Sequence, residues 1–290
     1  MTDLKTYMKS VSDATDEELE RLLPPEISYP SSVHALMRYS IFAGGKRVRP
    51  CLVMSAFEAC GGSFGNKNAL LACAAVEMLH TFSLIHDDLP CMDDDDFRRG
   101  KPTAHKAFNE ELAVLGGDAL CIFAFECLGR IGKPKIVVEI AKALGTSGMI
   151  GGQVVDIESE GKPASRQTLE YIHRNKTAVF IRACVRTGAI LAGASPDAIE
   201  KLSIYGDKVG LAFQVIDDIL DEEGTTEQIG KDAGSDRERG KVTFPSIVGM
   251  PESKRYAKEL IDTAKSALEP FGDKSRILCE LADYIRVRIS

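Results

Sequence analysis

Two clusters of aspartates are the residues in this sequence whose types and spacing could do chemistry. One contains Asp217, Asp218 and Asp221 and follows the mostly apolar letters FQVI at 213–216 without a break in the helical pattern. At about 100° per residue, Asp221 lies roughly 40° and Asp218 roughly 100° around a helix from Asp217, so the carboxylates share one face. Like charges on adjacent turns repel unless cations or solvent screen them. The cluster therefore predicts a magnesium site, since Mg²⁺ prefers oxygen ligands, with a solvated acidic helix end as the alternative.

The other cluster contains Asp87, Asp88 and Asp93, and three more aspartates follow it directly. On an unbroken helix Asp93 would lie roughly 240° around from Asp87, away from the shared face. Pro90 lacks an N–H and clashes with the carbonyl four residues earlier, so the helix should break there and let Asp93 return. An EF-hand loop is rejected because the Gly at its sixth position and the Glu at its twelfth are missing.

Basic residues occur where a bound anion would need them. The letters GGKRVRP at 44–50 put three cations, Lys46, Arg47 and Arg49, after a glycine pair and before a helix that Pro50 could begin. A P-loop at 224–231 is rejected because Asp232 stands where Ser or Thr belongs and no strand precedes it. A solvated surface charge is the alternative for any single cation. Further candidates are Arg98, Arg99, Lys176, Thr177, Lys231 and Lys241.

The elements that must position these residues are predicted to be helices. Apolar residues recur at helical spacing over 69–89, 111–129 and 198–220, and β-branched alternation is scarce, so the fold class is all-α. The chain of 290 residues with 44% apolar residues can bury a real core, and nothing resembles an interdomain linker. We therefore predict a single domain over 1–290, in which two apolar helices deliver their acidic ends to one place.

Composition excludes several other classes. A net charge of -7 argues against a nucleic-acid surface, which needs clustered Lys and Arg. No apolar run reaches the roughly 18 to 20 residues needed to cross a bilayer, and residues 1–10 lack the pattern of a secretion signal. The eight cysteines include no CxxC pair, which favours reduced, structural thiols. We therefore expect a cytoplasmic protein without a transmembrane segment.

In combination these residues resemble the trans-isoprenyl diphosphate synthases, the polyprenyl synthetase family. The letters HDDLPCMDDDDFRRGKPT resemble the family's first aspartate-rich motif in its longer form, and FQVIDDILD resembles the second. The longer form is that of bacterial farnesyl diphosphate synthases and plant geranylgeranyl synthases. The similarity runs from about Tyr39 to Pro245. It implies a helical bundle of the isoprenoid synthase type with a central cavity.

The resemblance also implies the role of each site residue. Mg²⁺, three ions when substrate is bound, would bridge the allylic diphosphate, and His80, seven residues before Asp87, would help to hold isopentenyl diphosphate. The alternative for His80 is a satisfied core histidine. The implied metal ligands are Asp87, Asp88, Asp93 and Asp217, with Asp218 and Asp221 assisting. The implied contacts to the allylic diphosphate are Arg98, Lys176, Gln214, Lys231 and Lys241, with Thr177 nearby. The implied contacts to isopentenyl diphosphate are Lys46, Arg49, His80 and Arg99. The residues expected to be catalytic are Asp87, Asp88, Asp93, Lys176, Asp217 and Lys231.

The implied reaction ionises the allylic C–O bond, after which the alkene of isopentenyl diphosphate attacks the cation and the released diphosphate takes up the proton. Farnesyl diphosphate is the expected product and geranylgeranyl diphosphate the second candidate. Phe82, five residues before Asp87, occupies the family's position for an aromatic stop, although helical geometry puts it about 140° from Asp87. Ser83 lies one turn below Asp87. Ordinary core packing is the alternative for Phe82.

Two other functions remain open. A class I terpene cyclase would need one substrate and a different second motif, and a non-catalytic partner subunit would be expected to lack the acid clusters. The broad apolar faces of the helices suggest an oligomer, and the resemblance implies a homodimer.

Overall fold

The computed structural model describes residues 3–162, 165–223 and 243–287. Helices dominate, and the described strands form a two-stranded antiparallel hairpin, β1 (Phe97–Arg98) with β2 (Lys101–Pro102). The prediction of an all-α fold is confirmed. The helices are α1 (Leu4–Leu22), α2 (Ser31–Ile41), α3 (Val48–Ala59), α4 (Lys67–Asp87), α5 (Ala104–Ala107), α6 (Glu110–Arg130), α7 (Pro134–Leu144), α8 (Met149–Ser159), α9 (Arg166–Ile172), a π-helical segment (His173–Ala178), α10 (Val179–Ala192), α11 (Pro196–Glu223), α12 (Phe244–Val248), α13 (Met250–Ala267), a 3₁₀ segment (Glu269–Ser275) and α14 (Arg276–Val287).

The three apolar runs of the sequence correspond to α4, α6 and α11. Each helix begins within two residues of the predicted start. At the start of α4, the Asn66 side chain accepts hydrogen bonds from the N–H groups of Asn68 and Ala69, which satisfies donors that have no partner inside the helix. Helix α4 ends at Asp87, three residues before Pro90, as expected from the missing N–H.

The chain groups into two compact units. The first unit comprises Met1–Met54 and Phe64–Val137, and the second comprises Ser55–Ser63 and Val138–Ser290. Two of the three boundaries between the units fall inside helices α3 and α7, and the third falls between α3 and α4.

Helix α4 is the central element of the first unit, where it packs against α1, α2 and α6. Every residue from 72 to 79 is buried, including the carboxylate-bearing Glu77. A helix that is apolar on all sides has no solvent face to orient it, so its neighbours must enclose it. Its carboxyl end carries the first aspartate cluster.

Helix α11 is the corresponding element of the second unit, where it packs against α10, α13, α14 and the π-helical segment. Gly206 and Gly210 lie one turn apart on α11 and let the helices approach closely. A Cβ atom at Gly206 would lie 2.7 Å from Cα of Arg182, and one at Gly210 would overlap Cα of Ala178. Gly206 therefore permits the close approach of α11 to α10, and Gly210 permits that of α11 to the π-helical segment.

Among the described residues, two helices are long and apolar enough to cross a membrane by length and composition, α4 and α6. The expectation of no transmembrane segment rested on the absence of an uninterrupted apolar run, and it stays a prediction. In α4, 67% of the apolar stretch is buried inside the protein, which is typical of a core helix. In α6 the buried share is 39%, and Leu115 and Ile122 are 58% and 70% exposed.

Candidate active site

The first aspartate cluster lies where α4 ends and the chain turns back. The N–H of Asp93 donates to the carbonyl oxygen of Asp87 at 2.8 Å, and the N–H of Asp94 donates to that of Leu89 at 3.1 Å. The turn includes Pro90, which cannot continue the helix. The predicted return of Asp93 to the end of α4 is therefore confirmed for the backbone.

Asp88 is buried beside this turn and is paired with Arg98. Its Oδ1 accepts a hydrogen bond from Nε of Arg98 at 2.9 Å and a second, shorter one from Nη2. Nη2 of Arg98 also donates to Asp95 at 3.1 Å. Burial raises the pKa of Asp88, and the Arg98 guanidinium opposes that rise. Arg98 therefore pairs with carboxylates of the first cluster, and its predicted contact with a diphosphate stays a prediction.

Arg99 contacts the glycine pair that precedes Lys46. Arg99 and Gly100 form the hairpin turn with φ of 55° and 76°, and this turn directs Nη1 of Arg99 to the carbonyl oxygen of Gly44. A Cβ atom at Gly45 would lie 2.7 Å from Cζ of Arg99, so only glycine leaves room for the guanidinium. The structure thus brings together two segments that the sequence predicts for the same anion.

The middle cation of the 44–50 segment points into the protein. Arg47 is 3% exposed and donates to Asp16 at 2.9 Å, to Glu77 at 2.9 Å and to the carbonyl oxygen of Ile41 at 2.8 Å. Its φ of 46° turns the side chain away from its exposed neighbour Lys46. The prediction that all three cations bind an anion is corrected here, because the buried Arg47 side chain already donates to three partners inside the first unit.

His80 is half-buried on α4, one turn after Glu77. Burial lowers its pKa well below the usual range, and the charges of Arg49, Arg99, Arg98 and Arg47 lower it further. The imidazole is therefore neutral near pH 7 and can donate one hydrogen bond. The arginines that shift this pKa include two of the residues predicted to share an anion with His80.

The second aspartate cluster lies on the last turns of α11. Oδ2 of Asp218 accepts a hydrogen bond from the N–H of Phe244 at 2.7 Å and lies 3.3 Å from Nε2 of His173. Asp221, one turn from Asp217, is buried. Asp218 therefore fastens two other segments of the second unit to α11. Sequence reasoning missed His173, because nothing in the spacing of the letters links it to α11.

Lys176 lies in the π-helical segment and is held by a carboxylate from α8. Its Nζ donates to Oδ2 of Asp156 at 2.7 Å. One turn earlier on α8, a Cβ atom at Gly152 would overlap the backbone nitrogen of Lys176, so the glycine permits this approach. π-Helical turns inside α-helices are frequent at functional sites. Thr177 follows in the same segment, whereas Lys231 and Lys241 lie outside the described residues.

A metal ion fits these residues by donor chemistry. Carboxylate oxygens are the ligands that Mg²⁺ prefers, and each cluster supplies several. Within 3–162, 165–223 and 243–287, no three His, Cys, Asp or Glu side chains are arranged as a metal-ion site. Asp88 is instead turned to Arg98 and Asp218 to Phe244. The magnesium ligands named from the sequence thus remain predictions.

A cavity of about 30 Å³ lies behind the first cluster, in the first unit. Its lining includes Thr81, Asp88, Arg98 and Arg99. Such a volume holds about two water molecules and no isoprenoid chain. This cavity is therefore distinct from the apolar tunnel that the sequence predicts.

The two residues predicted to limit product length lie on the last turns of α4. Phe82 is half-buried and packs edge-on against His86, with ring centroids 5.3 Å apart. The hydroxyl of Ser83 donates to the carbonyl oxygen of His80 at 2.9 Å. Their role in a tunnel stays a prediction.

Two helices with aspartates on their last turns, and arginines or a lysine on neighbouring segments, have the donor chemistry of an all-helical enzyme that binds a metal–diphosphate substrate. The chain belongs to the polyprenyl synthetase family, because the model of that family matches residues 30–279.

Similar proteins of known sequence or structure agree with this assignment. The chain is 46% identical to the chloroplastic geranylgeranyl pyrophosphate synthase of Capsicum annuum over 96% of this chain and 76% of that protein. It is 45% identical to the heterodimeric geranylgeranyl pyrophosphate synthase large subunit 1 of Arabidopsis thaliana, over 99% of this chain and 80% of that protein. An FPP/GFPP synthase from Zymomonas mobilis superposes with a TM-score of 0.85 at 36% identity, covering 98% of each chain.

Proposed function

We propose that this prenyltransferase condenses isopentenyl diphosphate head-to-tail with dimethylallyl and geranyl diphosphate and releases farnesyl diphosphate. The observation that carries the proposal is the turn after α4, where the backbone of Asp93 returns to Asp87 beside the buried Asp88–Arg98 pair. A cluster of carboxylates next to guanidinium groups can bind a metal–diphosphate complex, because it presents ligands of both signs.

The metal ligands are proposed as Asp87, Asp88 and Asp93 in the first unit and Asp217, with Asp218 and Asp221, in the second. Mg²⁺, three ions when substrate is bound, supplies positive charge to the departing diphosphate. Arg98, Lys176 and Gln214 bind the oxygens of the same diphosphate and keep it oriented as the C–O bond lengthens. Lys231 and Lys241 are proposed for the same diphosphate on the family resemblance alone.

The diphosphate of isopentenyl diphosphate is proposed to bind at Lys46, Arg49, His80 and Arg99. The contact of Arg99 with the 44–45 backbone supports a shared site for these residues. His80 enters the site neutral, so its N–H donates to the anion without adding charge. No side chain is assigned as the base, since the released diphosphate takes up the proton.

Farnesyl diphosphate is supported by Phe82, an aromatic residue five positions before the first aspartate of the motif. Geranylgeranyl diphosphate is the second candidate, and it is favoured by the names of the Capsicum annuum and Arabidopsis thaliana relatives. The two products differ by one condensation, so the depth of the tunnel decides between them.

We also propose that the enzyme is a homodimer. The exposed Leu115 and Ile122 on α6 support an oligomer, because such side chains are usually covered. The Arabidopsis thaliana relative is named as a subunit of a heterodimer, so a second kind of subunit is the alternative. Analytical ultracentrifugation of the chain alone should give twice the mass of 31.5 kDa.

The decisive experiment is a product assay with Mg²⁺, labelled isopentenyl diphosphate and each allylic primer. Linear products of fifteen carbons support the full proposal, and products of twenty carbons replace farnesyl by geranylgeranyl diphosphate. Chelation of Mg²⁺ should abolish turnover. A cyclic hydrocarbon formed without isopentenyl diphosphate would identify a terpene cyclase. No turnover by the isolated chain would point to a partner subunit and refute the proposal.

A further inference from the structure

Glu77 is a buried carboxylate on α4, within the stretch from 72 to 79 that is otherwise apolar. It is 1% exposed, and its Oε1 accepts a hydrogen bond from Nη1 of Arg47 at 2.9 Å. Its Oε2 has no hydrogen-bond partner among the described residues. A buried charge with one oxygen unsatisfied is costly, and core packing alone would be served better by an apolar residue.

The partner of Glu77 ties three segments to the loop before α3. Arg47 donates to Asp16 on α1, to Glu77 on α4 and to the carbonyl oxygen of Ile41 at the end of α2. Its own backbone is in the left-handed region with φ of 46°, which a non-glycine residue adopts only where its surroundings hold it. These side-chain contacts therefore fix the backbone of the residue that directly follows Lys46.

Glu77 also adds a buried negative charge near the guanidinium groups of Arg47, Arg49 and Arg99. Burial lowers the pKa of Arg99, the nearby charges of Arg47 and Arg49 lower it further, and Glu77 opposes that shift. Without Glu77 these guanidinium groups would repel one another. With it, Arg99 can lie against the carbonyl oxygen of Gly44 before any anion arrives.

We propose that Glu77 is a positioning residue for isopentenyl diphosphate, which fixes the 44–46 loop through Arg47 and keeps Arg99 beside that loop. The inference rests on the proposed function, because it assumes that Lys46 and Arg99 bind this diphosphate. It adds a residue that touches no substrate and acts from inside the first unit.

The test is Glu77→Gln, which keeps the volume and one acceptor oxygen but removes the charge. KM for isopentenyl diphosphate should rise about tenfold or more, the effect of losing one charge-assisted hydrogen bond. The KM for the allylic substrate and kcat at saturation should stay within about threefold. Glu126→Gln, which breaks an exposed pair with Arg130 in the same unit, is the control and should change none of these constants.

A second variant separates positioning from stability. The double variant Arg47→Met with Glu77→Met removes the buried pair, so neither charge is left buried without its partner. Such replacements often preserve folding. Thermal unfolding and calorimetric binding of isopentenyl diphosphate alone are measured for wild type and both variants. We expect a folded double variant that binds isopentenyl diphosphate at least about tenfold more weakly.

The outcomes distinguish this inference from the proposed function. Wild type that neither binds isopentenyl diphosphate nor turns over would refute the proposed function. Active wild type with unchanged isopentenyl diphosphate binding in a folded variant would refute the role of Glu77 alone. A fall in kcat with both KM values unchanged, or failure of both variants to fold, would assign Glu77 to stability and equally overturn the inference.

Discussion

Replacing Gly45 by alanine should weaken binding of isopentenyl diphosphate, whereas the same change at Gly44 should do so far less. Both glycines have positive φ, 95° at Gly44 and 134° at Gly45, so alanine strains the backbone at either position. A Cβ atom at Gly44 meets nothing within 4 Å, while one at Gly45 lies 2.7 Å from Cζ of Arg99. Only the change at Gly45 displaces the guanidinium.

The size of the effect follows from what Arg99 loses. Backbone strain of about 1–3 kcal/mol applies to both variants and falls on an exposed loop. In Gly45→Ala the flexible end of Arg99 moves aside, so its contact with the carbonyl oxygen of Gly44 is lost. The displaced guanidinium would then lose its proposed charge-assisted hydrogen bond to the diphosphate, which contributes at most about 1.5–3 kcal/mol and corresponds to a rise of up to about 10- to 150-fold in KM for isopentenyl diphosphate.

The assay measures initial rates against isopentenyl diphosphate at a saturating concentration of allylic substrate, for wild type and both variants. Thermal unfolding checks that each variant is folded. An equal rise in KM for the two variants would show that loop strain, and not the position of Arg99, controls binding. Unchanged KM in Gly45→Ala would remove Arg99 from the site.

Three further predictions address packing, protonation and product length. Gly210→Ala should destabilise the fold by about 1–3 kcal/mol, because its Cβ would overlap Ala178, whereas Gly129→Ala on α6 has open space and should be neutral or stabilising by up to about 1 kcal/mol in chemical denaturation. The lowered pKa of His80 means that the unfolded chain takes up a proton first as the pH falls below about 6.5, so stability should fall toward acid by at most about 1.4 kcal/mol per pH unit. In His80→Gln this contribution should be absent, so the free energy of unfolding should fall less between pH 7 and pH 5.5 than in wild type. An equal fall in both proteins would contradict the lowered pKa. Phe82→Ala should lengthen the product in chromatography, and an unchanged product profile would assign Phe82 to core packing.

The helices and the break after α4 were predictable because their signals are local. Apolar spacing of 3.6 residues identified α4, α6 and α11, and a proline between the acidic residues of the first cluster indicated where the chain must turn. Such signals depend on a few neighbouring residues, so they can be recognised without knowing how the helices pack. The placement of Asp93 followed from the same reasoning.

The partners of the charged residues could not be predicted in this way. The sequence places Lys46, Arg47 and Arg49 side by side, and nothing in their types shows that Arg47 turns inward to Glu77, 30 positions away. The Asp218–His173 contact likewise joins segments that only packing brings together. Glycines inside a helical pattern could have indicated some of these contacts, because such a glycine usually lies where another segment packs closely. Gly152 is one of these.

These partners change how binding of a diphosphate should be understood. Three cations predicted to contact diphosphates already have an acceptor or a counter-charge in the structure: Arg98 has Asp88, Lys176 has Asp156, and Arg99 has the carbonyl oxygen of Gly44. An arriving anion therefore replaces or joins an existing partner, so the gain in free energy is a difference between two interactions and not the full attraction of a bare charge. Because the carboxylates hold the cations in place beforehand, less conformational entropy is lost when the substrate binds. The residues predicted from the sequence as a row of positive charges thus already have partners, and the carboxylates of Asp88 and Asp156 hold Arg98 and Lys176 in place.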